Sequence, residues 1–219
     1  MSIVRTPEGH YRSTLLSEFE GVFHVFGTAA APPPDGHTTL RQIHSARVVE
    51  ACVPGQPGEG DALITARGGV RVAVKTADCI PLLLYDARRQ AVAAVHAGWR
   101  GVVRNIAGAA VEALARRYGS RGEDLVAALG PAIGGCCFEV GPEVAEQFRG
   151  IFPERSDLTG QTRVDLQEAV VRQLRAAGVQ DWHIDRGAPC TTCGGPEFFS
   201  WRRDRLLGQR MFAVIGLEG

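Results

Sequence analysis

The apolar positions of this chain fall into short, nearly unbroken runs, a pattern that predicts buried strands more than amphipathic ribbons. VFHVF is the first such run, followed at 28–39 by TAAAPPPDGHTT, whose proline and small residues predict a surface loop. LRQIHSARVVEACV (40–53) has the β-branched content of a strand pair interrupted at His44, and PGQPGEGDA (54–62) reads as a second loop holding Asp61. VRVAVKTADCIPLLLYD (70–86) is two apolar runs around the polar insertion Thr76, Ala77, Asp78 and Cys79. AVAAVHAGWRG (91–101) is a strand that ends on His96, with Gly98 breaking the run before Trp99 and Arg100 open a helical pattern.

The period then changes. Val102, Val103, Ile106, Ala110, Ala113 and Leu114 recur at helical spacing up to Tyr118, and Gly119 supplies the stop. DLVAALGPAIG predicts another buried strand ending in a Gly-Pro turn. In DLQEAVVRQLRAA (165–177), Leu166, Val170, Leu174 and Ala177 form one stripe. Asp165 and Glu168 suit a capping box, and Gly178 suits the end of the helix. WHID and MFAVIGL are the last strand candidates, and FFSWRRDR (198–205) reads as a strand with a solvated end. Strands alternating irregularly with two or three helices predict one mixed α/β domain over residues 1–219.

Composition narrows the function classes. A chain that is 45% hydrophobic and 22% charged can bury a sizeable core. Its 24 basic residues balance 24 acidic ones, so no overall field favours nucleic acid or an anionic membrane. The charged N-terminal stretch has no apolar signal region, and no run is long enough to span a bilayer, so the expected location is the cytoplasm. Six cysteines in 219 residues are too few for a disulfide scaffold, which leaves packing, metal binding or catalysis.

His44, Cys79 and His96 all lie at element ends. Two imidazoles and a thiolate suit Zn²⁺, and three protein ligands leave a fourth position for water or substrate. The same atoms allow a second reading, in which Cys79 is a nucleophile activated by His96, and a third in which Cys79 packs as a small hydrophobe beside IPLLL. Cys190 and Cys193 form one CxxC, which cannot close a tetrahedral site by itself, and Cys136 and Cys137 beside a glycine-rich turn read as packing residues. The aromatic and arginine residues of FFSWRRDR could stack a base and hold a phosphate.

Taken in order, RQIHS, GDALIT, KTADCIPLLLYD, AVHAGWRG, LGPAIGGCCFEVG, VDL and FFSWRRD resemble the motif series of the family named variously peptidoglycan editing factor, polyphenol oxidase or laccase-domain protein, and purine nucleoside phosphorylase. The series runs over roughly residues 40 to 215. The resemblance implies a mixed α/β sandwich of cysteine-hydrolase-like (cytotoxic necrotizing factor-like) architecture, with one zinc bound at the floor of a pocket by His44, Cys79 and His96. It implies phosphorolysis of purine nucleosides, methylthioadenosine included, and deamination of adenosine. The expected partners are purine nucleosides and phosphate, and the expected assembly is a monomer or small homo-oligomer. A role in editing cell-wall precursors and a copper-dependent oxidation of phenols go with the older names. Copper fits less well than zinc, because a multicopper oxidase needs many more histidines than the six here.

Each reaction can be assigned residues. Deamination needs a proton shuttle, and the H-x-E motif of known nucleobase deaminases is absent at both His44 and His96, so Asp78 or Asp61 would serve. Phosphorolysis needs cations for a dianion, for which Arg41, Arg100 and Arg202 are the candidates. The chain departs from the family in the short FGTAAAPPPDGHTT segment, in Trp201 where tyrosine is usual, and in GQRMFAV near the end. None of these touches the implied ligands.

Overall fold

A computed structural model describes all residues except Met1, Pro33, Pro54, Gln56, Pro57, Leu206 and Leu207. In chain order the strands are β1 (Ile3–Arg5), β2 (Tyr11–Ser13), β3 (Val22–Phe26), β4 (His37–Thr38), β5 (Val48–Glu50), β6 (Ala62–Thr65), β7 (Arg71–Thr76), β8 (Ile80–Asp86), β9 (Ala91–Ala97), β10 (Leu125–Leu129), β11 (Glu139–Val140), β12 (Thr162–Arg163), β13 (Ile184–Asp185) and β14 (Met211–Leu217). The helices are α1 (Trp99–Val103), α2 (Ile106–Tyr118), α3 (Pro142–Ala145), α4 (Leu166–Ala176) and α5 (Trp201–Asp204).

Two six-stranded sheets carry the molecule, ordered β1-β2-β3-β14-β7-β4 and β13-β10-β8-β9-β6-β5. The layers explain why the central runs are apolar at every position. Along β8, Leu83 and Tyr85 point into the core shared with the first sheet, together with Phe26, Val72 and Ile215. Ile80, Leu82 and Leu84 point the other way, into the core built with Val102 and Ile106 and with Leu166, Val170 and Leu174 of α4. A strand covered on both faces cannot alternate, and all seven residues of β8 and all seven of β9 are buried.

The structure corrects five expectations. The helix after His96 is two helices: Asn105 sits at φ 60°, in the left-handed region that asparagine tolerates, and this breaks the run between α1 and α2. The expected stop holds, with Gly119 at φ 73°. Only half of the capping box forms, since Asp165 accepts from the Glu168 amide at 3.0 Å while the Glu168 carboxylate faces Arg172 at 3.1 Å. RQIHS contributes no regular strand, only the bridge of Arg41 to Glu59, and β5 alone remains of the expected pair. FFSWRRDR is no strand either, because the Ser200 hydroxyl accepts from the Arg203 amide at 3.2 Å and caps the turn α5. The loop expected at 28–39 carries β4 at its end, and part of the 54–62 loop lies outside the described residues.

Candidate functional site

One end of the second sheet gathers the polar residues. β8 and β9 are antiparallel neighbours in which Pro81 faces His96, so Cys79, just before β8, meets His96 near the end of β9. β6 lies on the other side of β9, with Ala62 opposite Val95, and this places Asp61 beside His96. The RQIHS loop crosses above and supplies His44. The ligand atoms of His44, Cys79 and His96 all lie within 4.8 Å of one another, and the two imidazole rings stand edge to face with centroids 5.0 Å apart.

Asp61 organises this corner. It is fully buried, and its carboxylate accepts from the His96 Nδ1 at 2.8 Å, from the His44 and Ser45 amides at 3.0 and 2.6 Å, and from the Ser45 hydroxyl at 2.7 Å. These bonds hold His44 in an unusual backbone conformation, φ 57°. They also fix the His96 tautomer: with the Nδ1 proton given to Asp61, the Nε2 lone pair faces the cluster. Burial pushes the Asp61 carboxyl up, but the hydrogen bonds from His96 and Ser45 outweigh it and leave the pKa at about 2.

In the protein alone, burial pushes the Cys79 thiol up, while the charge of His96 and hydrogen bonds from His44 and His96 more than offset this and lower it. Burial pushes His96 the other way, but the thiolate and Asp61 raise it. Each group thus shifts the other toward its charged form, the thiol downward and the imidazole upward.

The donor set fits a zinc ion. A soft thiolate and two imidazoles converge, the orientation of one imidazole is fixed by a buried carboxylate, and the remaining side faces open space. The space beside them is kept by Gly98, where a Cβ would stand 3.0 Å from the Cys79 Sγ and 3.1 Å from the His44 Cδ2. Gly98 is thus required by room and not, as the sequence suggests, by turn geometry, since its φ is an ordinary −72°.

The cluster forms the floor of a cavity of about 780 Å³, within the range of small-molecule sites. Arg41, Lys75, Arg100, Arg202, Arg205 and Arg210 line it, and Asp78 is the acidic residue among the described lining. Trp99, Phe138 and Trp201 add aromatic faces, with the Arg100 guanidinium 4.4 Å from the Trp99 ring centroid and that of Arg202 5.6 Å from Phe138. A chain with no net charge thus carries a strongly basic pocket.

His44, Cys79, His96, Asp78, Arg41, Arg100 and Arg202 all line this cavity, whereas Asp61 is buried behind His96 and the other singled-out cysteines lie outside the lining. Arg41 is exposed and paired with Glu59 at 2.8 Å. Asp78 stands at the crossover from β7 to β8 at φ 82°, and both of its oxygens are occupied, one by the Thr191 hydroxyl and one by the Arg202 amide, each at 2.6 Å. That carboxylate holds the pocket wall together. Arg205 is one of the FFSWRRDR arginines read as able to hold a phosphate, while Lys75, one residue of a strand, and Arg210, beyond that stretch, carry no signal in the sequence.

Comparison with known proteins follows the same lines. The family model described as multi-copper polyphenol oxidoreductase laccase matches residues 23–218. The chain is 44% identical over 186 residues to a purine nucleoside phosphorylase of Deinococcus radiodurans, covering 84% of this chain and 71% of that protein. It is 38% identical over 195 residues to adenosine deaminase RL5 from an unknown prokaryotic organism, covering 80% of this chain and 72% of the relative. The crystal structure of YlmD from Geobacillus stearothermophilus superposes with a TM-score of 0.88 at 27% identity, over 99% of both chains.

Proposed function

The chain belongs to this laccase-domain family, and on that premise we propose that it is a zinc-dependent purine nucleoside phosphorylase that also deaminates adenosine and cleaves methylthioadenosine. The relatives' names support an enzyme acting on purine nucleosides. The observation that carries the finer reading is the His44, Cys79 and His96 cluster at the floor of a cavity walled by cations and aromatic rings.

His44, Cys79 and His96 would hold the zinc, which supplies Lewis acidity at one remaining coordination position. Asp61 keeps His96 oriented for this and stays ionised in the buried corner. Arg100 and Arg202, with Lys75, Arg205 and Arg210 beside them, hold the phosphate dianion, and Trp99, Phe138 and Trp201 offer faces on which a purine stacks. In phosphorolysis a phosphate oxygen bonds to the anomeric carbon as the glycosidic bond breaks, and the departing base takes the electron pair and then a proton. The arginines keep the phosphate on the sugar side, and the stacked base is held apart from it. Arg41 steers from the rim. Asp78 positions Arg202 through its backbone amide, a role that suits its two occupied oxygens better than proton transfer.

The test is incubation with adenosine, with and without phosphate, following adenine, inosine and ribose 1-phosphate by chromatography. Adenine that appears only with phosphate, alongside phosphate-independent inosine, is the expected result. The absence of both from zinc-loaded protein refutes the proposal.

A second reading has one observation in its favour, the closeness of the Cys79 Sγ to the His96 imidazole with Asp61 behind it, an arrangement in which a cysteine hydrolase of amide or peptide bonds could prepare its nucleophile. It predicts fast alkylation of Cys79 and a covalent intermediate. The phenol-oxidising reading with copper rests on the family description alone, and the cavity holds His44 and His96 as its histidines among the described residues.

A further inference from the structure

Four of the six cysteines gather at a second place. Cys136 and Cys137 lie in a tight turn closed by the Cys137 and Phe138 amides on the Gly134 carbonyl, at 2.9 and 3.0 Å. Cys190 and Cys193 lie in the CTTCGG turn, where the Gly194 amide donates to the Cys190 carbonyl at 2.8 Å. The two turns are joined by a bridge between Ala132 and Cys190. The four Sγ atoms are all within 4.8 Å of one another, with Cys137 to Cys193 at 3.3 Å, Cys136 to Cys137 at 3.6 Å and Cys136 to Cys193 at 3.7 Å.

We propose that Cys136, Cys137, Cys190 and Cys193 form a tetrathiolate site for a structural zinc ion, sharing no ligand with the His44, Cys79 and His96 cluster. Sulfur spacing carries the argument. Zinc–sulfur bonds of roughly 2.3 Å at tetrahedral angles put the sulfur atoms about 3.8 Å apart, whereas a disulfide needs about 2.05 Å. The observed separations lie close to the first value and far from the second, and all four thiols are free. The surroundings are those of a thiolate cage. The Gly134 amide donates to the Cys190 Sγ at 3.2 Å, as backbone amides do around metal-bound sulfur. A Cβ on Gly134 would stand 3.2 Å from the Cys136 Sγ and 3.5 Å from that of Cys190, so the backbone has been kept bare where the sulfurs meet. The ligands come from two segments over fifty residues apart, C-C in one and C-x-x-C in the other, so metal binding would staple them. Binding releases the thiol protons to solvent and involves no change of oxidation state.

The staple sits directly behind the pocket wall. Thr191, inside the C-x-x-C turn, gives its hydroxyl to Asp78, and Arg202 reaches the Cys137 carbonyl through Nη1 at 3.1 Å. The Ile133 amide, three residues before Cys136, donates to the Asp78 carbonyl at 2.8 Å. Loss of this metal should therefore loosen the wall that carries Arg202 while leaving the other cluster its ligands.

The test is metal stoichiometry of the full chain purified under reductant and reconstituted with zinc. Two equivalents are expected in the wild type, and one in Cys190→Ser and in Cys193→Ser. Reconstitution with cobalt should give the intense sulfur-to-cobalt charge transfer and visible bands of a tetrathiolate, absent from both variants and retained in His44→Ala. If the variants fail to fold, the wild type still answers: organomercurial titration should release one zinc in step with modification of the four cysteines, located by peptide mapping. Wild-type metal that is lost in His44→Ala and unaffected by Cys190→Ser and Cys193→Ser, no tetrathiolate spectrum, or a Cys137 to Cys193 disulfide in the reduced, zinc-supplied protein would overturn the proposal.

Discussion

At the scale of single residues, the site depends on a carboxylate that faces no substrate. Asp61 acts through His96 and through the backbone of the RQIHS loop, so Asp61→Asn should preserve the fold yet weaken zinc binding about 10- to 100-fold, as loss of such outer hydrogen bonds does. Competition with a chromophoric chelator measures this. Unchanged affinity would mean that the hydrogen bond to Nδ1 does not orient the ligand. His96 and Cys79 were recognisable through the ADC and HAGWRG motifs, and Asp61 stood out only as an acid in GDA, because nothing local ties position 61 to position 96. The four clustered cysteines were seen as two unrelated pairs for the same reason.

His24 is a residue that affects stability apart from the site. Burial, with the charge of Arg12 adding to it, lowers its pKa from 6.5 to about 4, and its Nε2 accepts from the Ser13 amide at 3.0 Å, which requires that nitrogen to be unprotonated. A folded-state pKa below the unfolded one means that the unfolded chain takes up more protons between these values. Stability should then fall as pH drops from 6.5 toward 4, by about 3 kcal/mol. Denaturant unfolding across that interval measures it. His24→Gln, which can still accept from the amide but does not titrate, should flatten the slope, and an unchanged slope would assign the acid sensitivity elsewhere.

At the scale of elements, patterning predicted well wherever burial alone decides. β8, β9, β10 and β14 follow the apolar runs because each is covered by packed neighbours, and α4 follows its stripe and its Asp165 cap. Prediction failed where one polar interaction overrides the local pattern: the left-handed Asn105 that divides α1 from α2, the Asp61 carboxylate that holds RQIHS out of a strand, and the Ser200 cap that makes a turn of FFSWRR. One such interaction ties the sheets to each other. Asp185 of β13, in the second sheet, accepts from the Ser13 hydroxyl at the end of β2, in the first, at 2.6 Å and from the Leu15 amide at 3.1 Å. It also accepts from the Thr14 hydroxyl at 3.3 Å and is fully buried, so Asp185→Ala should strip these donors of their acceptor and cost about 3 kcal/mol. The denaturant midpoint should fall at constant slope, and a change below about 0.5 kcal/mol would show that water replaces the carboxylate.

At the scale of the whole molecule, the arrangement separates stability from chemistry. The two sheets and the helices bury the apolar mass, and the end of the second sheet is left to hold polar groups that pack poorly elsewhere. Neutral overall composition concealed a basic cavity, since the cations that line it are spread from Arg41 to Arg210 and meet only in the fold. The domain class was legible because strands and helices announce themselves locally. The pocket was not, because convergence over long sequence distances leaves no periodic trace.

The most direct measurement is adenosine turnover as a function of zinc occupancy at the three-ligand cluster, taken on metal-stripped wild type during stepwise zinc addition and on His44→Ala, Cys79→Ala and His96→Ala. The account predicts turnover that rises in proportion to zinc bound by His44, Cys79 and His96 and is lost, by at least about a hundredfold, in each variant. Full turnover by the stripped protein, or wild-type activity in any of the three variants, would contradict it.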